Sequence, residues 1–256
     1  MRTEGDQPHV DIQFIPERFE WSQLEDYALE AEELGYGAIW VVDHLAGRPM
    51  GSENLFECFA WLGALAATVE RISLGSLVTN VWNRNVGTAV VSAATVASIS
   101  KKPFFFGIGA GTSATGSFAW EQDRTKAFVE PSLDKRHERV AEVISLAKDI
   151  WSEPTETFLC PPVTPTVIVG VNTPRLARLA AARADGVNFW WHHPKREALL
   201  SALSERDSVK PFQMTAWLSW EPGLEDPEHP DRKQMSAMGL DRVVLSVRGR
   251  APALER

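Results

Sequence analysis

Apolar and polar residues alternate along this chain with two periods that keep replacing one another. Val10-Asp11-Ile12-Gln13-Phe14-Ile15 changes character at every step, the period of a half-buried strand. Leu24, Tyr27, Ala28, Ala31 and Leu34 then recur at helical spacing. Ser22 and Glu25 form a capping-box pattern at the start of that helix, and Gly35 stands where a C-cap belongs. Ala38–Val42 reads as a buried strand running into Asp43-His44. The rhythm continues with a helix around Asn54–Ala67, a strand Ser73–Thr79, a helix around Val86–Ser98 and a strand Phe104–Gly109. After a loop rich in Gly, Ser and Thr, Val140, Val143, Ile144, Ala147, Ile150 and Trp151 mark one face of a helix starting near Ser132.

A Pro-rich connection leads to strand Val167–Val169 and to Thr173-Pro174, a good N-cap followed by proline at the first helical position. Strand Gly186–Phe189, a helix over Pro194–Leu203, strand Phe212–Leu218, a short helix near Arg232–Met238 and strand Arg242–Val247 complete the series. Strands that alternate with helices must run parallel with right-handed crossovers. Eight such strands are most simply closed as a TIM-like (β/α)8 barrel of the α/β class, with a doubly wound open sheet as the alternative. Only RGRAPALER follows Val247, so the barrel is expected to be shortened and to lack a full eighth helix. No linker or charge block divides residues 1–256, which read as a single domain.

Composition adds constraints. The 256 residues are 44% hydrophobic and carry a net charge of −8, which excludes a general binder of nucleic acid or anionic membranes. Cys58 and Cys160, the two cysteines, show neither a disulfide framework nor metal-ligand spacing, so no metal is expected. The stretches Phe59–Val69 and Val86–Ile99 are too short or too rich in small polar residues to span a bilayer, and the first residues have no apolar signal core. The expectation is a soluble cytoplasmic protein.

In such a barrel, chemistry sits at the C-terminal ends of the strands. Gly170-Val171-Asn172-Thr173 opens a helix whose free N–H groups and dipole favour an anion such as phosphate, with Arg175 and Arg178 available if they turn back. The plainer reading is that Thr173 only caps its helix. Gly109-Ala110-Gly111 permits close backbone approach to a flat ligand, or simply makes a turn. His44, after a buried strand and beside Asp43, suits proton transfer near neutrality, and equally suits a structural histidine. His192-His193 lacks a third ligand partner and reads as a loop or helix start. Trp82, Trp120, Trp190, Trp191, Trp217 and Trp220 all fall near strand ends, as an aromatic pocket wall or as packing and interface residues.

Leu24–Leu45, Arg71–Ser100 with Phe104–Gly111, Val167–Phe189 and Gly239–Val247 together resemble the bacterial luciferase-like monooxygenase superfamily, particularly its coenzyme F420-dependent oxidoreductases. The resemblance implies hydride transfer between F420 and a small organic substrate, with His44 as the catalytic proton donor or acceptor. It implies a cofactor phosphate at Gly170, Val171, Asn172 and Thr173, and a ring near Asp43 and a strand-three bulge of Ser76, Leu77, Val78 and Thr79. A non-proline cis peptide is implied in that bulge, at Leu77-Val78 or Ser76-Leu77. Asp-His resembles the F420 branch more than the FMN branch, which leaves an FMN-dependent monooxygenase or a non-catalytic flavin-binding barrel as alternatives. Thr112 stands where some F420 sugar-phosphate dehydrogenases have a glutamate acid. The connection Ser152–Pro165 and the segment Ala46–Glu53 are short for the family. A missing eighth helix would leave apolar wall beside strands one and eight, so a homodimer is expected unless a terminal segment folds over the gap.

Overall fold

The computed structural model describes residues 7–152, 158–206 and 209–254. Its elements are β1 (His9–Phe14), α1 (Trp21–Leu34), β2 (Ala38–Val41), α2 (Cys58–Thr68), β3 (Ser73–Ser76), β4 (Thr79–Asn80), α3 (Val86–Ser100) and β5 (Phe104–Gly109). There follow α4 (Ala119–Thr125), α5 (Leu133–Ser152), β6 (Thr166–Gly170), α6 (Pro174–Arg183), β7 (Gly186–Trp190), α7 (Arg196–Ser204), β8 (Gln213–Ser219), α8 (Pro230–Ala237) and β9 (Arg242–Val247). All strand pairs are parallel, in the order β3-β2-β1-β9-β8-β7-β6-β5-β4. A further β3–β5 pairing sets Leu74 opposite Phe104 and closes the ring. The expected third strand is thus two pieces, β3 and β4, on either side of Leu77-Val78, whose peptide bond is cis. The result is an eight-stranded closed barrel rather than an open sheet.

Strand alternation divides the core into two regions. Ala38, Trp40, Phe105, Ile168 and Val244 pack inside the barrel, while their outward neighbours Ile39, Phe104, Phe106, Val167, Val169 and Leu245 meet the helices. Trp40 stacks on Phe105 at 5.1 Å, and its Nε1 donates to Asp11 at 2.8 Å. Arg242 pairs with Asp11 at 2.7 Å and lies over the Phe105 ring. Burial pushes the Asp11 carboxyl up, against the pull of Arg242. This charged plug joins the start of β9 to β1, at the N-terminal end where a barrel invests in stability.

Local signals account for most helix ends. Gly35 closes α1 with φ of 86°, and Asn85 caps α3 by accepting from Gly87 N–H, a contribution of about 1 kcal/mol. Two expected starts move. The Ser22 box does not cap α1, which begins at Trp21 after Glu20 with no side-chain cap. Asn54 does not open α2; its amide instead clamps the Phe19 backbone, accepting from N–H at 2.7 Å and donating to C=O at 2.9 Å. That clamp sets the entry to α1 from 35 residues away, and α2 starts at Cys58 under a Glu57 cap. The polar stretch after β5, read as loop throughout, contains α4.

After β9 the described residues Arg248–Leu254 form no helix. They pack back on α1: Tyr36 donates to Pro252 O at 2.8 Å, Arg250 pairs with Glu30, and Ala251 is buried. The wall expected to be bare beside β1 and β9 is therefore met by the tail, which removes that argument for a partner subunit. The alternative cover by Met1–Pro8 and the short connection at 152–165 lie partly outside the described residues. Among the described residues, no helix is long and apolar enough to cross a membrane.

Candidate active site

A cavity of about 740 Å³ opens at the C-terminal ends of the strands. Asp43, His44, Leu77, Val78, Gly109, Ala110, Gly111, Gly170, Val171, Asn172 and Thr173 all line it. Ser76 and Thr79 do not: both are fully buried behind the wall, where Thr79 Oγ1 donates to Ser76 Oγ and Ser76 Oγ donates to Gly107 O. Their hydroxyls hold the interrupted strand, so these two expected ligand residues stand behind the cavity wall. Gln13, from β1, joins the lining and donates to Leu77 O at 3.2 Å, supporting the bulge from the opposite side.

His44 follows the end of β2, where extended backbone delivers its side chain to the cavity rim. Its Nδ1 is 2.8 Å from Glu121 Oε1, and Phe118 stacks on the ring at 4.3 Å. Glu121 Oε2 accepts from the N–H groups of Leu45 at 2.9 Å and Ala46 at 3.1 Å. This carboxylate is only 1% exposed. The adjacent Gln122 donates to Asn83 Oδ1, and Asn83 in turn donates to Asp43 O. The segment around α4 thus grips the end of β2 at two consecutive residues. Glu121 escaped sequence reasoning because its surroundings lack apolar periodicity. Thr112 lines the cavity with its hydroxyl turned to Ser113 O.

Both carboxylate oxygens of Asp43 are held by protein groups. Arg84 holds both its oxygens at 2.7 Å, and Asn80 N–H donates to Oδ2 at 2.8 Å. Arg84 also pairs with Glu57 and lies over the Phe59 ring. Burial pulls the guanidinium pKa down, but the Asp43 contacts outweigh it and the net shift is upward. These contacts make Asp43 an anchor for the turn that carries His44, at a position that also lines the cavity.

The glycines around the bulge serve Val78. A Cβ on Gly109 would stand 2.4 Å from Val78 Cγ2, and one on Gly170 would stand 2.9 Å from Val78 Cγ1. On Gly107 it would meet Ser76 O at 1.9 Å. A side chain at these positions would collide with the bulge, so its seating alone requires glycine there. Gly111 is different, with φ of 75°, a left-handed turn that L side chains rarely adopt.

At the other end of the cavity, Thr173 caps α6 by accepting from Leu176 N–H at 3.2 Å, and Pro174 takes the first helical position. The backbone N–H groups of Asn172 and Thr173 donate to nothing among the described residues. Neither nearby arginine turns toward them: Arg175 pairs with Asp134, and Arg178 pairs with Glu205 at 3.0 Å. Arg136, unremarked in the sequence, supplies the cation instead. It lines the cavity from the first turn of α5 and donates to Gly111 O at 3.0 Å. Free N–H groups at a helix N-terminus and a guanidinium lining the same cavity fit an anionic group.

Of the tryptophans near strand ends, Trp190 and Trp217 wall the cavity, stacked at 6.3 Å. Trp191 is core, Trp82 packs against Phe128, Trp120 lies under Arg48, and Trp220 borders a second cavity of about 560 Å³. His193 lines the first cavity, while His192 faces Asp231 at 3.6 Å.

Comparison with known proteins agrees with this architecture. An F420-dependent glucose-6-phosphate dehydrogenase of Nakamurella multipartita is 29% identical over 177 residues, 66% of this chain and 52% of the relative. An F420-dependent hydroxymycolic acid dehydrogenase of Mycobacterium tuberculosis is 26% identical over 69% of this chain and 51% of its own. The chain spans about half the length of these curated relatives. Among solved structures, an F420-dependent secondary alcohol dehydrogenase in complex with an F420-acetone adduct aligns over 92% of each chain, with a TM-score of 0.68 and 16% identity. The coenzyme F420 dependent tetrahydromethanopterin reductase from Methanopyrus kandleri aligns over 94% of this chain and 93% of its own, with a TM-score of 0.61 and 14% identity. At such identities these structures speak to the fold. The family model for luciferase-like monooxygenases matches residues 3–204, well over half the chain, and with the barrel, its interrupted third strand and its strand-end cavity it establishes that this protein belongs to the luciferase-like monooxygenase family.

Proposed function

We propose that this protein is an F420-dependent oxidoreductase acting on a small organic substrate. The observation that carries the proposal is the convergence on one cavity of His44, the Leu77-Val78 bulge, the α6 N-terminus with its free N–H groups, and Arg136. The similarity to F420-dependent dehydrogenases supports the same choice. When bound, the deazaflavin supplies a hydride acceptor or donor. The chain's own residues divide the remaining work. Asn172 and Thr173 N–H groups with Arg136 hold the cofactor's phosphate, and the bulge carrying Val78 backs the ring. Trp190 and Trp217 form an aromatic wall against which an apolar part of the substrate can pack. His44, through Nε2, moves the proton that accompanies hydride transfer.

Titration of the purified protein with F420 and with FMN, followed by fluorescence, tests the cofactor. Submicromolar binding of F420 with weaker binding of FMN is expected; the reverse order overturns the choice in favour of flavin chemistry. Binding without turnover across a panel of alcohols, ketones and enones would leave a cofactor-binding barrel. The proposal includes a homodimer in a reducing, cytoplasmic setting. Exposed Trp120, Phe128 and Leu133 support the first, and two unpaired cysteines the second. A monomer mass by light scattering at low micromolar concentration removes the dimer.

A further inference from the structure

We propose that Glu121 is a positioning residue that fixes His44 as the Nδ1–H tautomer and so leaves Nε2 as its proton-exchanging atom; this rests on the reading of His44 as the proton-moving group. The geometry assigns the two carboxylate oxygens to different tasks. Oε2 accepts from Leu45 and Ala46 N–H, which would suffice to hold the loop, yet Oε1 is given to His44 Nδ1 at 2.8 Å. A carboxylate that is 1% exposed must accept hydrogen bonds on both oxygens to offset its desolvation. With both oxygens accepting, Nδ1 carries the hydrogen. Nε2 meets no protein partner among the described residues, and the His44 side chain remains 27% exposed at the cavity. Phe118, stacked at 4.3 Å, blocks rotation of the ring away from this alignment.

Free imidazole exchanges between tautomers, and only one of them offers a lone pair at Nε2. Glu121 therefore selects the form able to take up a proton from the cavity. It also faces the imidazolium that results, whose charge an adjacent carboxylate stabilises. The other charged groups near His44 do not compete for Nδ1. Asp43 is clasped by Arg84, while Arg136 and His193 stand on other stretches of the cavity wall. Both residues that hold the ring, Phe118 and Glu121, come from the one segment between β5 and α5 that the βα repeat does not require. The insertion is thereby tied to the chemistry of β2.

Long-range ¹⁵N–¹H NMR of the ¹⁵N-histidine-labelled full chain without cofactor tests the assignment, the His44 signals being identified by their loss in His44→Ala. The wild-type ring is expected as the neutral Nδ1–H tautomer, and Glu121→Gln and Glu121→Ala are expected to show mixed tautomers. In turnover assays the same variants should lose about 10–100-fold in kcat, part of what a placed acid–base group supplies, with the KM for cofactor changed less than about twofold. A wild-type Nε2–H tautomer, or an unchanged His44 signature in a folded Glu121→Gln protein, overturns the proposal. If the variants fail to fold, the wild-type spectrum alone decides it. A tautomer change without turnover by any cofactor supports the positioning role and defeats the functional reading. Loss of turnover in His44→Ala with Glu121 variants unaltered in spectrum and kcat does the opposite.

Discussion

Arg84 holds Asp43 through two guanidinium nitrogens, each 2.7 Å from a carboxylate oxygen, so the acid that precedes His44 is committed to a nearly buried ion pair. The pair joins the start of α3 to the end of β2. Removing one partner leaves the other charge desolvated, which costs more than the pair contributes. Arg84→Met is expected to lose about 3–5 kcal/mol in urea unfolding. Arg178→Ala, which breaks an ion pair more than half exposed on both sides, should leave the midpoint nearly unchanged.

The seating of Val78 gives a test by contrast. Gly109→Ala places a methyl group 2.4 Å from Val78 Cγ2 and should cost about 1–3 kcal/mol, as overpacking of a filled site does. Adding Val78→Ala should recover part of that loss. Gly63→Ala, in the middle of α2 with nothing within 4 Å of the new Cβ, should stabilise the protein by about 0.5–1 kcal/mol. Thermal or urea unfolding of the four proteins measures how far the seating of Val78 depends on the missing side chain at Gly109.

His137 gives the stability a pH dependence of known sign. Its ring is 1% exposed with both nitrogens unpartnered, and burial, helped by the charges of Arg175 and Arg136, pushes its pKa below 6.5. The unfolded chain then takes up the proton first, so stability is present in full above about pH 6.5 and falls as the pH drops through that value toward the folded pKa. The slope from this residue is a fraction of the roughly 1.4 kcal/mol per pH unit that one proton carries. Unfolding measured at intervals from pH 7 to 5 should show a shallower slope in His137→Phe than in the wild type.

The two ends of the cavity should separate kinetically. His44→Ala is expected to lower kcat about 10²–10⁴-fold with cofactor affinity nearly intact. Arg136→Gln is expected to weaken cofactor binding about tenfold, the worth of one charge-assisted hydrogen bond, with kcat at saturation little changed. Arg175→Gln should do neither, because its guanidinium is held by Asp134 on the outer face. Paired Kd and kcat measurements on the three variants check the division.

The strand-and-helix order and the Thr173-Pro174 start of α6 were legible along the chain, since each depends on periodicity or on contacts within a few residues, and the count of eight strands favoured closure that the β1–β9 and β3–β5 pairings then make. His44 and the Gly170–Thr173 turn could be picked out as strand-end residues once eight strands were counted. Where a distant residue decides, the local reading failed. Asn54 sets the entry to α1 against the Ser22 signal, and Val78 gives Gly109 and Gly170 their reason. Arg84, 41 residues from Asp43, makes that carboxylate an anchor, and Glu121 reaches His44 across 77 residues from a helix with no apolar stripe. Local pattern determines which segments become strands and helices because propensity and burial act over a turn or two. Which polar side chains share a desolvated site depends on how the segments close in space, and only the folded barrel brings those partners within hydrogen-bonding distance.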